Sequence, residues 1–123
     1  MTLPEQATRT AVGEVWQAVV DGTLSRVEAH RWAARWIEAD DAEALDRLVL
    51  SALQRLHGFD LVWTDGARTT VRHGGSEAYV HSAGEIRQAL TAWQDDCRSY
   101  DADPVEYVQR EKAEARAAAR SEH

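Results

Sequence analysis

The sequence is poor in cysteine, proline and glycine, and it contains no long apolar run. Its single cysteine, Cys97, cannot form an internal disulfide, and no Cys-x-x-Cys pair is present to bind zinc. Only two prolines and seven glycines occur, and the glycines concentrate at 58–84, where we place the non-helical part. No apolar stretch approaches the roughly 20 residues of a membrane span and no signal peptide is visible, so we expect a cytoplasmic protein.

Composition and length favour one globular, acidic domain. A hydrophobic fraction of 44% with five tryptophans is typical of a folded chain rather than a disordered one. The 123 residues favour a single domain, with a core of about 4–100 and a C-terminal helical extension at 104–120. The formal net charge of −7 argues against nucleic acid or an anionic membrane as the main partner. It favours a basic protein partner, or simply solubility.

Apolar residues at helical spacing predict a mainly α fold, a compact antiparallel bundle of four core helices plus the C-terminal helix. The first helix is predicted at 1–20, with Pro4 in its first turn. Ser25 and Glu28 form a capping box, in which each side chain bonds the other residue's backbone amide, and open a second helix at about 26–39.

The third helix is predicted from Ala42 to His57, behind a capping box of Asp40 and Glu43, with Gly58 as its terminator. Similar signals precede the later helices: Ser82 with Glu85, and Asp103 with Pro104 and Glu106.

The segment 58–82 is predicted to be non-helical. Two β-prone runs, 61–63 and 68–72, surround Asp65-Gly66 and predict a hairpin, with 78–80 as a third extended piece. A long irregular loop is the alternative that the sequence leaves open.

Acidic residues form two groups. The first group falls within nine positions: Glu38, Asp40, Asp41, Glu43 and Asp46. The second surrounds the turn between the last two helices: Asp95, Asp96, Asp101, Asp103 and Glu106. These carboxylates either cap helices and face solvent, or form a phosphate-mimicking surface that docks on a basic cleft. Two such groups in one small acidic domain favour a negative face, and in a bundle the ends of the second and fourth helices can lie at the same pole, which the sequence does not settle.

No catalytic or metal-binding motif is present. The histidines at 30, 57, 73 and 81 lack metal-ligand spacing, and Cys97 lies on an apolar helix stripe, so we predict no metal, no cofactor and no enzyme activity. We expect His30 to be partly buried and hydrogen-bonded, and His57 to favour its charged form at a helix C-terminus. One of Trp32, Trp36 and Trp63 is a candidate hot spot. The predicted partner-binding residues are Trp36, Glu38, Asp40, Asp41, Glu43, Asp46, Asp95 and Asp96.

The block from Trp16 to Ala29, followed by Trp32, Trp36-Ile37 and an acidic step, resembles the bacterial self-protective immunity proteins of the colicin D type. Small actinobacterial proteins share this organisation and the later run Tyr79-Val80-His81-Ser82. The resemblance covers roughly 8–98. It implies an antiparallel helical bundle that inhibits a cognate toxin without catalysis. In the colicin D case the toxin is a nuclease that cuts tRNA, and acidic residues cover its basic substrate site.

Two other functions fit the sequence. One is a regulatory or assembly module that binds a protein partner through the apolar and tryptophan face of the second helix. A homodimer is one version of this alternative. The other is a small enzyme with a site around His73 and His81. The oligomeric state is left open.

Overall fold

The structure is a computed structural model that describes residues 2–41, 45–75 and 78–121. It is mainly α-helical with a small antiparallel sheet, as predicted. The elements, in chain order, are α1 (Arg9–Asp21), α2 (Arg26–Ile37), α3 (Arg47–Gly58), β1 (Leu61–Trp63), β2 (Val71–His73), α4 (Ala83–Ala102) and α5 (Pro104–Ser121). No helix in the described part of the chain is both long and apolar enough to cross a membrane.

The predicted start of the first helix is wrong. Helix α1 begins at Arg9, because the Thr8 hydroxyl accepts from the Ala11 amide as an N-cap. Pro4 is therefore outside the helix. Its carbonyl accepts a hydrogen bond from the Trp32 indole at 2.8 Å, which holds the leading segment against α2 instead. At the other end, Gly22 takes a left-handed φ of 77° and closes α1.

The capping box of Ser25 and Glu28 is confirmed, but the start of the third helix was predicted too early. Asp46 is the N-cap of α3, since its carboxylate accepts from the amides two and three residues on, at 3.0 and 3.1 Å. Asp40 lies in the turn region after α2 and is not the N-cap of α3, while the predicted first residue Ala42 and the predicted capping partner Glu43 lie outside the described residues. Gly58 is the last residue of α3 rather than a left-handed terminator.

The predicted hairpin is confirmed, although its second strand is shorter than expected. β1 and β2 pair antiparallel with Leu61 opposite His73. The connection spans 64–70 instead of a tight Asp-Gly turn, because Asp65 accepts from the amides of Thr69 and Thr70 and folds the loop on itself. On the other side of β1, Val62 forms an antiparallel bridge with Tyr79, so the third extended piece also exists.

The core lies between α1, α3 and α4, with α2 packed closely on α3. Trp16 and Trp93 have ring centroids 5.8 Å apart at its centre. Their indole nitrogens donate to backbone carbonyls of Ile86 and Leu48, so both rings are buried with their polar atoms satisfied. The last helix docks mainly through Tyr107, the one residue of α5 that is fully buried.

Candidate functional site

The antiparallel packing gives the bundle two different ends. At one end, Arg9 at the start of α1 contacts Asp46 before α3 and Asp101 near the end of α4. We call this end the acidic pole. At the other end, Arg26 at the start of α2 donates to the carbonyls of Phe59 and His81, at 3.3 and 2.6 Å. We call this end the histidine pole.

The acidic pole joins carboxylates that are distant in the sequence. Arg9 Nη1 is 2.6 Å from Asp101 Oδ1, and Arg9 Nε is 3.8 Å from Asp46 Oδ1. The side chains of Asp46 and Asp101 remain 44% and 64% exposed. One arginine therefore lies between the two predicted acidic groups, and both carboxylates keep access to solvent.

Asp96 of α4 has a carboxyl whose pKa is raised. Burial raises the pKa of its carboxyl, and the charges of Glu111, Asp95 and Glu114 raise it further. Arg110 opposes this shift. Other arginines compensate part of the charge: Arg47 pairs with Glu111 at 2.6 Å, and Arg98 pairs with Asp95.

The predicted residues at the end of α2 lie on the surface. Glu38, Asp40 and Asp41 are exposed or nearly so, and they make no ion pair with any residue in the described ranges. Trp36 is half-buried, with its ring centroid 4.7 Å from that of Trp32. Because Trp36 packs against the core and beneath the Arg35 guanidinium, only part of its ring is accessible.

The histidine pole contains a cluster that the sequence analysis did not predict. His30 of α2, His57 of α3 and His73 of β2 each bring one ring nitrogen within 4.8 Å of the other two. Their ring centroids are 4.2 to 5.0 Å apart. His30 is partly buried and hydrogen-bonded, as predicted.

A buried carboxylate supports this cluster. Asp60 is 1% exposed, and its Oδ1 is 2.5 Å from His73 Nδ1 and 3.5 Å from His30 Nδ1. His30 Nδ1 also lies 2.7 Å from the carbonyl oxygen of His57, which can only accept. The Nδ1 atoms of His30 and His73 are therefore hydrogen-bond donors, and in the neutral form of each ring the lone pair is then on Nε2.

His57 differs from the charged group expected at a helix C-terminus. Burial lowers the pKa of its imidazole, and the neighbouring His30 and His73 lower it further, while Glu38 and Asp60 act in the opposite direction. Its Nε2 is buried and has no hydrogen-bond partner among the described residues. Desolvation and crowding by other imidazoles thus outweigh the favourable helix dipole.

Two other predicted candidates lie outside the cluster. His81 is near Glu85 and stacks edge-on against Phe59, so the structure does not bring His73 and His81 into one site. Cys97 is half-buried beside the core, and burial raises the pKa of its thiol, which favours the unreactive protonated form.

The sequence held an indirect signal for the cluster. Because α2 and α3 pack antiparallel, His30 near the start of α2 lies close to His57 near the end of α3. The hairpin register then returns His73 to the point where β1 leaves α3. The antiparallel helices and the hairpin were predicted, but the register that places His73 opposite Leu61 was not. Ligand spacing along one element does not reveal a cluster that three elements build.

Comparisons with protein-family models, with curated proteins and with solved structures found no match to this chain. Its function is therefore inferred from the chemistry of the two poles.

Proposed function

We propose that this chain is a non-enzymatic bacterial protein of the cytoplasm that binds and neutralises a basic toxin domain, a nuclease that acts on RNA. The acidic pole would form the binding surface. The observation that carries this proposal is the position of Arg9 between Asp46 and Asp101, because it joins one carboxylate from each predicted acidic group at one end of the bundle.

The charge at this pole suits a partner that normally binds phosphate. A nuclease cleft holds lysine and arginine side chains that neutralise the nucleic-acid backbone. Exposed carboxylates such as Asp41 and Asp96 offer the same charge sign as phosphate. Long-range attraction between such surfaces speeds association, and the net charge of −7 adds to it.

An apolar docking face on α2 has less support. Trp32 is 2% exposed, and its indole is bonded to the carbonyl of Pro4 in the same chain. Among the described residues, the large apolar side chains that are exposed lie elsewhere: Val71, Tyr79 and Val105. A regulatory module or homodimer built on the tryptophans of α2 would first have to displace the chain's own leading segment.

Affinity capture from the native cell at low salt tests the proposal. The wild type is compared with Asp41→Asn/Asp96→Asn, the acidic-pole variant, which removes one exposed charge from each predicted acidic group. The control, Glu14→Gln/Asp21→Asn, removes the same number of charges from exposed positions on α1. We expect the wild type and the control to retain one basic protein that salt releases. The acidic-pole variant should bind it about tenfold more weakly, equivalent to 1.4 kcal/mol.

The captured protein should cleave RNA, and an equimolar amount of the wild type should stop it. Equal binding by both variants would reject the acidic pole as the surface. Recovery of a symmetric dimer without any second protein would reject toxin neutralisation.

A further inference from the structure

The histidine cluster has the chemistry of a metal site, and it is independent of the acidic pole. Its three imidazoles come from three different elements, α2, α3 and β2, and converge beside a buried carboxylate. We propose that His30, His57 and His73 bind one divalent transition-metal ion of the zinc type, and that Asp60 orients His73 by accepting a hydrogen bond from its Nδ1.

The hydrogen bonds orient two of the ligands. The Nδ1 of His73 donates to Asp60, and the Nδ1 of His30 donates to the carbonyl of His57. Histidines that bind metals through one ring nitrogen usually donate the other to a carboxylate or a backbone carbonyl, which fixes the ring and increases its basicity. The ion would therefore be bound by the Nε2 atoms of His30 and His73.

The third ligand is a buried nitrogen without a hydrogen-bond partner. His57 Nε2 has none within the described ranges, and leaving a buried polar atom without a partner is destabilising.

The three rings must move closer together to enclose an ion. One ring nitrogen of each histidine lies within 4.8 Å of the other two, and zinc–nitrogen bonds of 2.0–2.1 Å in a tetrahedron place the nitrogens about 3.4 Å apart. His73 can make this movement because its side chain is 41% exposed and lies on a three-residue strand. That exposure leaves a fourth position open to water or to a further ligand.

The donor set selects the class of ion. Neutral imidazoles suit Zn²⁺, Cu²⁺ and Ni²⁺, whereas Mg²⁺ and Ca²⁺ prefer oxygen ligands. Such an ion would also stabilise the fold, because it would tie the short hairpin to both helices. A two-stranded hairpin is marginal by itself, and all three residues of β2 are exposed.

Calorimetric titration of the full chain, made without a polyhistidine tag and stripped with EDTA, tests the site. We expect one Zn²⁺ per chain and no detectable binding of Mg²⁺. His73→Ala should weaken Zn²⁺ binding by at least about 100-fold, since replacing an outer partner alone costs 10–100-fold. His81→Ala is the matched control, because it removes a nearby histidine outside the cluster. Its affinity should equal that of the wild type.

Two further readouts separate a metal site from a loss of folding. At a free Zn²⁺ concentration of 100 times Kd, the Tm of the wild type should rise by about 10 °C, and the Tm of His73→Ala should not rise. The ¹⁵N NMR spectrum should show zinc-induced shifts at Nε2 of His30 and His73. Absence of binding by the folded wild type, or equal losses in His73→Ala and His81→Ala, would overturn the proposal.

Discussion

The two poles of the bundle use charged and titratable groups in opposite ways. At the acidic pole, Asp46 and Asp101 are 44% and 64% exposed and share a surface arginine. At the histidine pole, Asp60 is 1% exposed and is surrounded by imidazoles. Exposed charges act at long range and are screened by salt, while a buried charge demands a fixed set of partners. The first arrangement suits recognition of a partner, and the second suits a defined local geometry.

Breaking the shared core should affect both poles together. Leu53 of α3 is fully buried between them, and Leu53→Ala should lower the free energy of unfolding by about 2–5 kcal/mol. Urea denaturation measures this loss. Val105→Ala is the control, because Val105 is 67% exposed and should change stability by less than about 0.5 kcal/mol. A similar loss for both variants would contradict the burial of Leu53 in the core and the exposure of Val105.

Replacing one aspartate at each pole should lower stability more at the buried position than at the exposed one. Asp60→Ala removes the buried carboxylate to which His73 Nδ1 donates, together with its contact to His30, and should cost about 1–3 kcal/mol in metal-free protein. Asp101→Ala breaks only an exposed pair with Arg9 and should cost at most about 1 kcal/mol. Thermal and urea unfolding of the two variants check this order. A larger loss from Asp101→Ala would contradict the burial of Asp60.

The smallest effect is expected at Asp96, where neutralisation should stabilise the protein. Because the pKa of Asp96 is raised in the folded state, its contribution to stability is fully present below its unfolded value of 3.8 and is lost as pH rises through the folded value. Asp96→Asn should therefore gain up to about 0.5 kcal/mol at pH 7, after allowance for solvent screening.

Urea unfolding at pH 7 and near pH 4 measures this dependence on pH. The gain should shrink toward pH 4 and in 0.5 M NaCl. A loss of stability at pH 7 would show that Asp96 is attracted to arginines more strongly than it is repelled by the carboxylates around it.

Local chemistry made much of the fold predictable. The capping boxes of Ser25 with Glu28 and of Ser82 with Glu85 were identified from residues three positions apart, and both occur in the structure. The start of α3 was misplaced because several acidic residues could cap it, and among the residues that the structure describes it is the Asp46 carboxylate that accepts from two free amides. Pro4 was misassigned because its role is a bond to Trp32, far along the chain.

The candidate sites were less predictable because they depend on tertiary packing. The sequence showed the acidic residues as two groups. It did not show that Asp46 and Asp101 both contact Arg9 at one pole. The histidine cluster requires helix packing, strand register and the burial of Asp60 at the same time. None of these three conditions leaves a periodic pattern in the sequence.

The association rate with the captured basic partner, measured as a function of salt, tests the central claim most directly. We expect the rate constant of the wild type to fall steeply, by at least about tenfold, between 50 and 300 mM NaCl. Asp41→Asn/Asp96→Asn should start slower and depend less on salt, whereas Glu14→Gln/Asp21→Asn should follow the wild type. A rate that is flat with salt, or the same slope for both variants, would contradict recognition through the acidic pole.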